Sequence, residues 1–504
     1  MTQSIFEMNL TGDLAKMRHG SLQYALGMDY RENSFDYTPD NLSDQQNEVD
    51  TVAGLFPTEH SSGDFNVKEI YGELFVPIIA NGPKIASHFN LELGGRVSDW
   101  NLEQMPNLFT YKALIDWGIG DRYRIRGGFN RAFRAPNLGE LFLKRTQVFG
   151  AGGATRDWCG DRLTNPGTFS ATPVAGVDPA QTAQSKAICT ALMGAGASVY
   201  YDPARNNALD SAGIPNSFGN PNLREEQADT WTFGVAMSLF NDWRLTVDWW
   251  HITIDKMIAL EGADATYQKC LDRTFNPTGD VNSQDCQHII RNPGTGAGGI
   301  INRSFNNAGH SDFEGVDFAT NWAHQLGKGG SLTLNNSLTL NLHEITQDTP
   351  QLAPKDWKGF GPPNTACSLQ LQCLNYDYRV FTTVGYGRGM WNVQLQHQYW
   401  PSIKNDACRT TGPQAIACLY NSLPAYSLFS MNASMRFKDK YRVSFGLENL
   451  LDKDPPMNYG LSNPTLVPTA AAPYQFGAAP VHVTDGATYD PLGRTYFVSM
   501  TMDF

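Results

Sequence analysis

Three groups of residues in this chain have types and spacings that suggest chemistry: eight cysteines, one glycine-rich stretch, and scattered histidines and carboxylates. The cysteines fall in neighbouring twos: Cys159 with Cys189, Cys270 with Cys286, Cys367 with Cys373, and Cys408 with Cys418. Thiolate metal sites want tighter Cys-x-x-Cys spacing than any of these. Pairing within each two closes modest rings, whereas other pairings would join segments that meet only after folding, so disulfides Cys159–Cys189, Cys270–Cys286, Cys367–Cys373 and Cys408–Cys418 are expected. Gly294-Thr-Gly-Ala-Gly-Gly299 formally fits a dinucleotide fingerprint, but it follows Asn-Pro and opens no helix, so no cofactor is expected there. His343-Glu344 begins like a zinc-protease motif, yet position 347 is Gln and the second ligand is lacking. Nothing groups a nucleophile with a base. Neither a catalytic site nor a bound metal is expected.

The elements that position these residues are strands. Charged residues make up 17% of the 504 and aromatics 12%, and the net charge is -12. That charge, without any polybasic run, disfavours nucleic acid as a partner, and none is expected. The mean hydropathy of -0.36 is negative. The longest apolar stretch, Leu74 to Ala80, contains a proline, far short of the about 20 residues a spanning helix needs. Period-two alternation dominates instead. Leu332, Leu334, Leu338, Leu340 and Leu342 alternate with Thr333, Asn335, Ser337, Thr339 and Asn341, and Trp391, Val393, Leu395, His397 and Tyr399 with Asn392, Gln394, Gln396 and Gln398. Strands with one lipid face and one wet face read this way. A soluble sandwich would carry more Lys and Glu on its wet face.

About 15 such segments, each of the length expected of membrane strands, lie near residues 3–14, 20–30, 66–77, 85–98, 108–117, 122–132, 227–240, 242–256, 311–323, 330–343, 376–388, 390–400, 425–438, 440–449 and 492–503. Their connections alternate between short turns, such as Lys16–Gly20 and Arg388–Gly389, and long loops at 31–65, 133–226, 257–310, 344–375, 401–424 and 450–491. Outer-membrane barrels have short periplasmic turns and longer outside loops, which places Phe504 on the periplasmic side. Aromatics recur at that edge, including Trp117, Tyr123, Phe240, Trp243, Trp322 and Trp391, as an interfacial girdle would. The fold class expected is all-β, a transmembrane antiparallel barrel with the cysteine-bearing loops outside.

Two segments carry a family resemblance. Arg124-Ile-Arg-Gly-Gly-Phe-Asn-Arg-Ala-Phe-Arg-Ala-Pro-Asn-Leu-Gly-Glu-Leu-Phe142 resembles the signature strand and loop of TonB-dependent receptors, its core formed by Arg131, Phe133, Arg134, Pro136, Asn137, Glu140, Leu141 and Phe142. Glu448-Asn-Leu-Leu-Asp452 resembles the end of that family's penultimate strand, through Glu448, Asn449, Leu450 and Asp452. Phe504 matches the terminal aromatic such barrels offer to the barrel assembly machinery, and 67–100 is also similar to the family. The resemblance implies a barrel of 22 strands preceded by a plug domain folded inside it. Counted back from Phe504, residues 1–504 would then be strands 8 to 22 of a partial barrel, with the plug, the first strands and the TonB-binding segment missing. The start, Met1-Thr-Gln-Ser-Ile-Phe, shows no signal peptide, and a fragment is expected.

What this implies for function is TonB-dependent, energy-coupled uptake of a scarce, bulky nutrient across the outer membrane. The ligand would be a siderophore–iron complex, a glycan or cobalamin, a small molecule or oligosaccharide that the sequence does not name. TonB with ExbB–ExbD would act through the missing N-terminal part. A passive diffusion porin and a structural or adhesin barrel are the alternatives. Wet-face charges such as Arg124, Arg126, Asp248 and Asp317 are expected to be solvated or mutually paired wall residues rather than substrate-path or plug contacts.

Overall fold

In the computed structural model of the chain the alternating segments are long strands laid edge to edge in sequence order. They are β1 (Thr2–Met17), β2 (Gly20–Tyr37), β3 (Ser61–Ala80), β4 (His88–Trp100), β5 (Leu108–Ile119), β6 (Tyr123–Arg134), β7 (Glu226–Phe240), β8 (Trp243–Leu260), β9 (Gly298–Gln325), β10 (Ser331–Gln347), β11 (Tyr378–Arg388), β12 (Trp391–Trp400), β13 (Tyr426–Phe437), β14 (Tyr441–Glu448) and β15 (Thr495–Met502). The structure describes residues 1–504 except 42, 44–57, 106, 148–156, 161–178, 203–212, 241, 348–352, 362–374, 406–421, 439, 457, 461–480, 484–488, 490–491 and 503–504. Each long strand pairs antiparallel with the next. Among the described residues β1 pairs only with β2, and β15 only with β14, so these two are the edges of the sheet. No helix among them is long and apolar enough to cross a membrane.

Because side chains alternate, residues opposite one another in register share a face. Starting from Val247, one row runs through Val235, Ile125, Trp117 and Phe89 on one side and Phe318, Leu338, Val380 and Tyr399 on the other. Starting one residue along, at Asp248, the row runs through Gly234, Arg126 and Asp116, and through Asp317 and Thr339. The sheet thus has one continuous apolar face and one continuous polar face. Trp231, Phe233, Trp391 and Met500 are each more than half exposed on the apolar face. So much contiguous exposed apolar surface marks contact with lipid.

Short links tie the strands at one end. Between β11 and β12 only Gly389 and Met390 intervene, and Gly389 sits at φ +59. Glycine at the first central position of a two-residue hairpin link matches the right-handed twist of the strands. At the opposite end β2, β3, β8 and β9 run well past the segments legible in the sequence, into 31–65 and 257–310. Beyond the lipid band their outward side chains become polar, and the alternation that reveals a strand disappears.

The long segments at that end also hold helices, among them α1 (Leu138–Phe142), α2 (Pro179–Met193), α3 (Ala263–Leu271) and α4 (Gln284–Gln287). The regions 133–226 and 257–310, read as separate loops, share one core. Ile188, Cys189, Met193 and Tyr200 from the first pack with Tyr267, Cys270, Leu271, Cys286 and Ile301 from the second. Residues 214–218 also pair in parallel with 300–304 of β9. Together they make a packed cap at the ends of β6 to β9 opposite the short links.

Candidate functional site

The polar face carries a ladder of ion pairs. Lys112 Nζ lies 2.9 Å from Glu73 and 2.7 Å from Glu92. Arg124 donates to both oxygens of Asp116, at 2.5 and 2.9 Å, and Arg126 to both oxygens of Asp248, at 2.8 and 2.7 Å. Thr339 Oγ1 donates to Asp317 at 2.7 Å. The fork geometry of arginine against carboxylate fixes these pairs in place. Near the short links, Arg388, Arg436 and Arg442 border a cavity of about 650 Å³ lined by Gln394, Asn432 and Ser444. The ladder thus holds most of these wall charges in neutralising pairs.

At the ends of β6 and β7 opposite the short links the signature segment is a clamp. Arg131 grips Asp229 with two hydrogen bonds, at 2.7 and 2.5 Å. Arg134 grips Glu226 at 2.6 and 2.8 Å and reaches Glu140 at 2.9 and 3.1 Å. Asn137 caps α1: its Oδ1 accepts from the Glu140 amide at 2.9 Å, and Glu140 Oε2 accepts from the Asn137 amide at 2.8 Å. This reciprocal pair is a capping box, and it satisfies two amides the short helix leaves open. Pro136 is buried and Phe133 half-buried, while Leu138 and Leu141 are buried against Phe65, Leu223 and Ile258, with Phe142 packed beside them. The fit is close, since a Cβ on Gly63 would stand 2.3 Å from the Phe142 ring.

The second signature closes a turn after β14. Asn449 and Asp452 take φ +50 and +53, a left-handed conformation that Asn and Asp tolerate best among residues other than Gly. Asn449 accepts from the Lys453 amide at 2.8 Å and donates to its carbonyl at 2.9 Å. The Leu450 amide donates to the Phe429 carbonyl at 2.6 Å, and Glu448 accepts from Thr495 at 3.1 Å. Phe504 lies outside the described residues.

In the cap, Cys159–Cys189 and Cys270–Cys286 are disulfides, with Cα atoms 5.8 and 4.8 Å apart. Cys367, Cys373, Cys408 and Cys418 lie outside the described residues. Between the two bridges sits a pair that sequence reasoning missed. Arg291 and Asp157, both fully buried, meet through bonds of 2.6 and 2.9 Å. Tyr200 donates to Asp157 at 2.7 Å, and Arg291 also reaches the Tyr267 hydroxyl at 2.9 Å and the Gly296 carbonyl at 3.0 Å. The glycine-rich stretch is the hairpin turn that makes this possible. Gly296 sits at φ +70, and a Cβ there would lie 2.7 Å from the Gly196 carbonyl oxygen. Its glycines serve a close backbone approach, with no strand-to-helix turn for a dinucleotide. His343 does meet a second histidine, but across strands rather than along a helix. His251, Asp312 and His343 come together on β8, β9 and β10.

The sequence profile described as TonB dependent receptor-like, beta-barrel, matches residues 2–450. The chain belongs to this family. Among solved structures, a ferric enterobactin receptor mutant of Pseudomonas aeruginosa in complex with enterobactin superposes with a TM-score of 0.56 at 14% identity, covering 100% of this chain and 54% of that one. The siderophore receptor PirA of Acinetobacter baumannii gives 0.55 at 12% identity, covering 100% and 55%. At such identities the likeness concerns the fold, which is the TonB-dependent receptor barrel. This chain spans about half the length of those receptors. No curated protein matches the sequence. The clamp, the charged wall and the cap are thus features of a TonB-dependent receptor barrel, whose family comprises receptors and transporters of the outer membrane.

Proposed function

We propose that this barrel serves TonB-dependent, energy-coupled uptake of a scarce, bulky nutrient across the outer membrane, with the cap on the outside and the short links in the periplasm. Family membership over residues 2–450 is the observation that carries this reading. The paired charges of the polar face would line the path, and the cap would contribute to ligand capture. An iron–siderophore complex heads the candidates, because one superposing structure is by name a ferric enterobactin receptor and another a siderophore receptor; glycans and cobalamin follow. Transport rather than turnover is the proposed activity. TonB, driven through ExbB–ExbD, would engage a segment outside this sequence, and the barrel assembly machinery would insert the protein.

Deleting the gene and feeding single ferric siderophores, glycans or cobalamin tests this. Uptake of one nutrient class should be lost in the deletion strain and, equally, in a strain without TonB. Uptake that persists without TonB would point to a passive porin. No change for any nutrient would point to an adhesin or structural barrel.

A further inference from the structure

We propose that His251, Asp312 and His343 form a binding site for one divalent transition-metal ion of the zinc class. One ligand atom from each lies within 4.8 Å of the other two. His251 Nε2 stands 2.7 Å and His343 Nε2 3.0 Å from the same oxygen of Asp312. An ion bonded at about 2.0–2.2 Å to each needs ligand atoms about 3.3 Å apart, so the two His–Asp separations need open by only roughly half an ångström. Two imidazoles and one carboxylate suit zinc, copper or nickel, whereas calcium and magnesium prefer oxygen alone. Three protein ligands leave a fourth position open.

Two further features point to a built site. One is an orienting shell. His343 Nδ1 lies 3.2 Å from Glu314 Oε2, and Glu314 Oε1 accepts from the Trp249 indole at 2.7 Å. A carboxylate behind a ligating histidine fixes its tautomer, holding the proton on Nδ1 and leaving Nε2 for the metal. The other is a bulge. Gly315 faces Asn341 but Glu314 faces His343, so Leu342 is an extra residue in β10. Without it His343 would turn to the polar face, away from His251 and Asp312. Bulges re-aim side chains in this way at functional positions.

The site sits on the apolar face, one step beyond the row of Trp249, Val316 and Leu340, and thus at the outer margin of the lipid band rather than on the uptake path. A bound ion would tie β8, β9 and β10 together there.

The test titrates Zn²⁺ alone, by calorimetry, into the metal-stripped protein extracted in detergent from its outer membrane without refolding, its free thiols alkylated. One equivalent should bind with micromolar or tighter affinity. His251→Ala and Asp312→Asn should each weaken binding at least tenfold, while His310→Ala, on the same face, leaves it unchanged. Absence of saturable binding, or equal binding in all variants, would overturn the proposal. Because a variant can misfold, the unmutated chain is also loaded with one equivalent of Cu²⁺ and examined by electron paramagnetic resonance. Superhyperfine coupling to two imidazole nitrogens is expected, and coupling to one or none would overturn it.

Discussion

The Arg291–Asp157 pair shows how much a single buried contact decides in the cap. Both charges are out of water; Asp157 also accepts from the Tyr200 hydroxyl, and Arg291 also donates to the Tyr267 hydroxyl and the Gly296 carbonyl. Removing one partner strands the other charge, which costs about 3–5 kcal/mol in buried pairs. Asp157→Ala should therefore loosen the cap by that order, seen as faster hydrogen exchange over α2 and α3 with the strands unaffected. The double change Asp157→Ala with Arg291→Met should recover most of the loss; failure to recover would mean that Asp157 acts through something other than this pair. Neither residue announces itself in the sequence, where an isolated Asp and an isolated Arg in polar loops read as solvated.

At the scale of elements, the cap responds to oxidation and to pH. Each disulfide closes a ring within one outer segment, and by the chain-entropy model contributes about 2–4 kcal/mol. Mapping of linked peptides without reduction should find Cys159 joined to Cys189 and Cys270 to Cys286; free thiols at these four would refute the arrangement. His288, at the end of α4, packs edge-on against Phe218 at 5.4 Å. Burial disfavours the charged imidazole, and with Lys269 outweighs the opposing effect of Asp285, so its pKa is lowered. The unfolded segment then binds the proton first as pH falls below about 6.5, and stability is lost progressively from there down to the folded-state value. Protease resistance of the cap should drop between neutral pH and mildly acidic pH, and His288→Phe should flatten that drop.

For the whole molecule, the edges matter most. β1 and β15 each present one unpaired side among the described residues, and backbone groups left unpaired in lipid are costly. The isolated chain, refolded in detergent, should show no heat-modifiable shift on gels; a compact, protease-resistant monomer would count against this. The strand order itself was legible. Period-two rows such as Leu332–Leu342 against Thr333–Asn341 encode the two faces residue by residue, and the alternation of short and long links encodes antiparallel neighbours. Family signatures were legible too, though not their work: that Arg134 bridges Glu226 and Glu140 depends on strands distant in sequence being adjacent in space. Alternation is a local property, written wherever one face meets lipid and the other water. The shared core of the two outer segments, the Asp157–Arg291 pair and the meeting of His251, Asp312 and His343 are nonlocal. They arise only when register and one bulge bring separate segments side by side, and only the tertiary structure decides that.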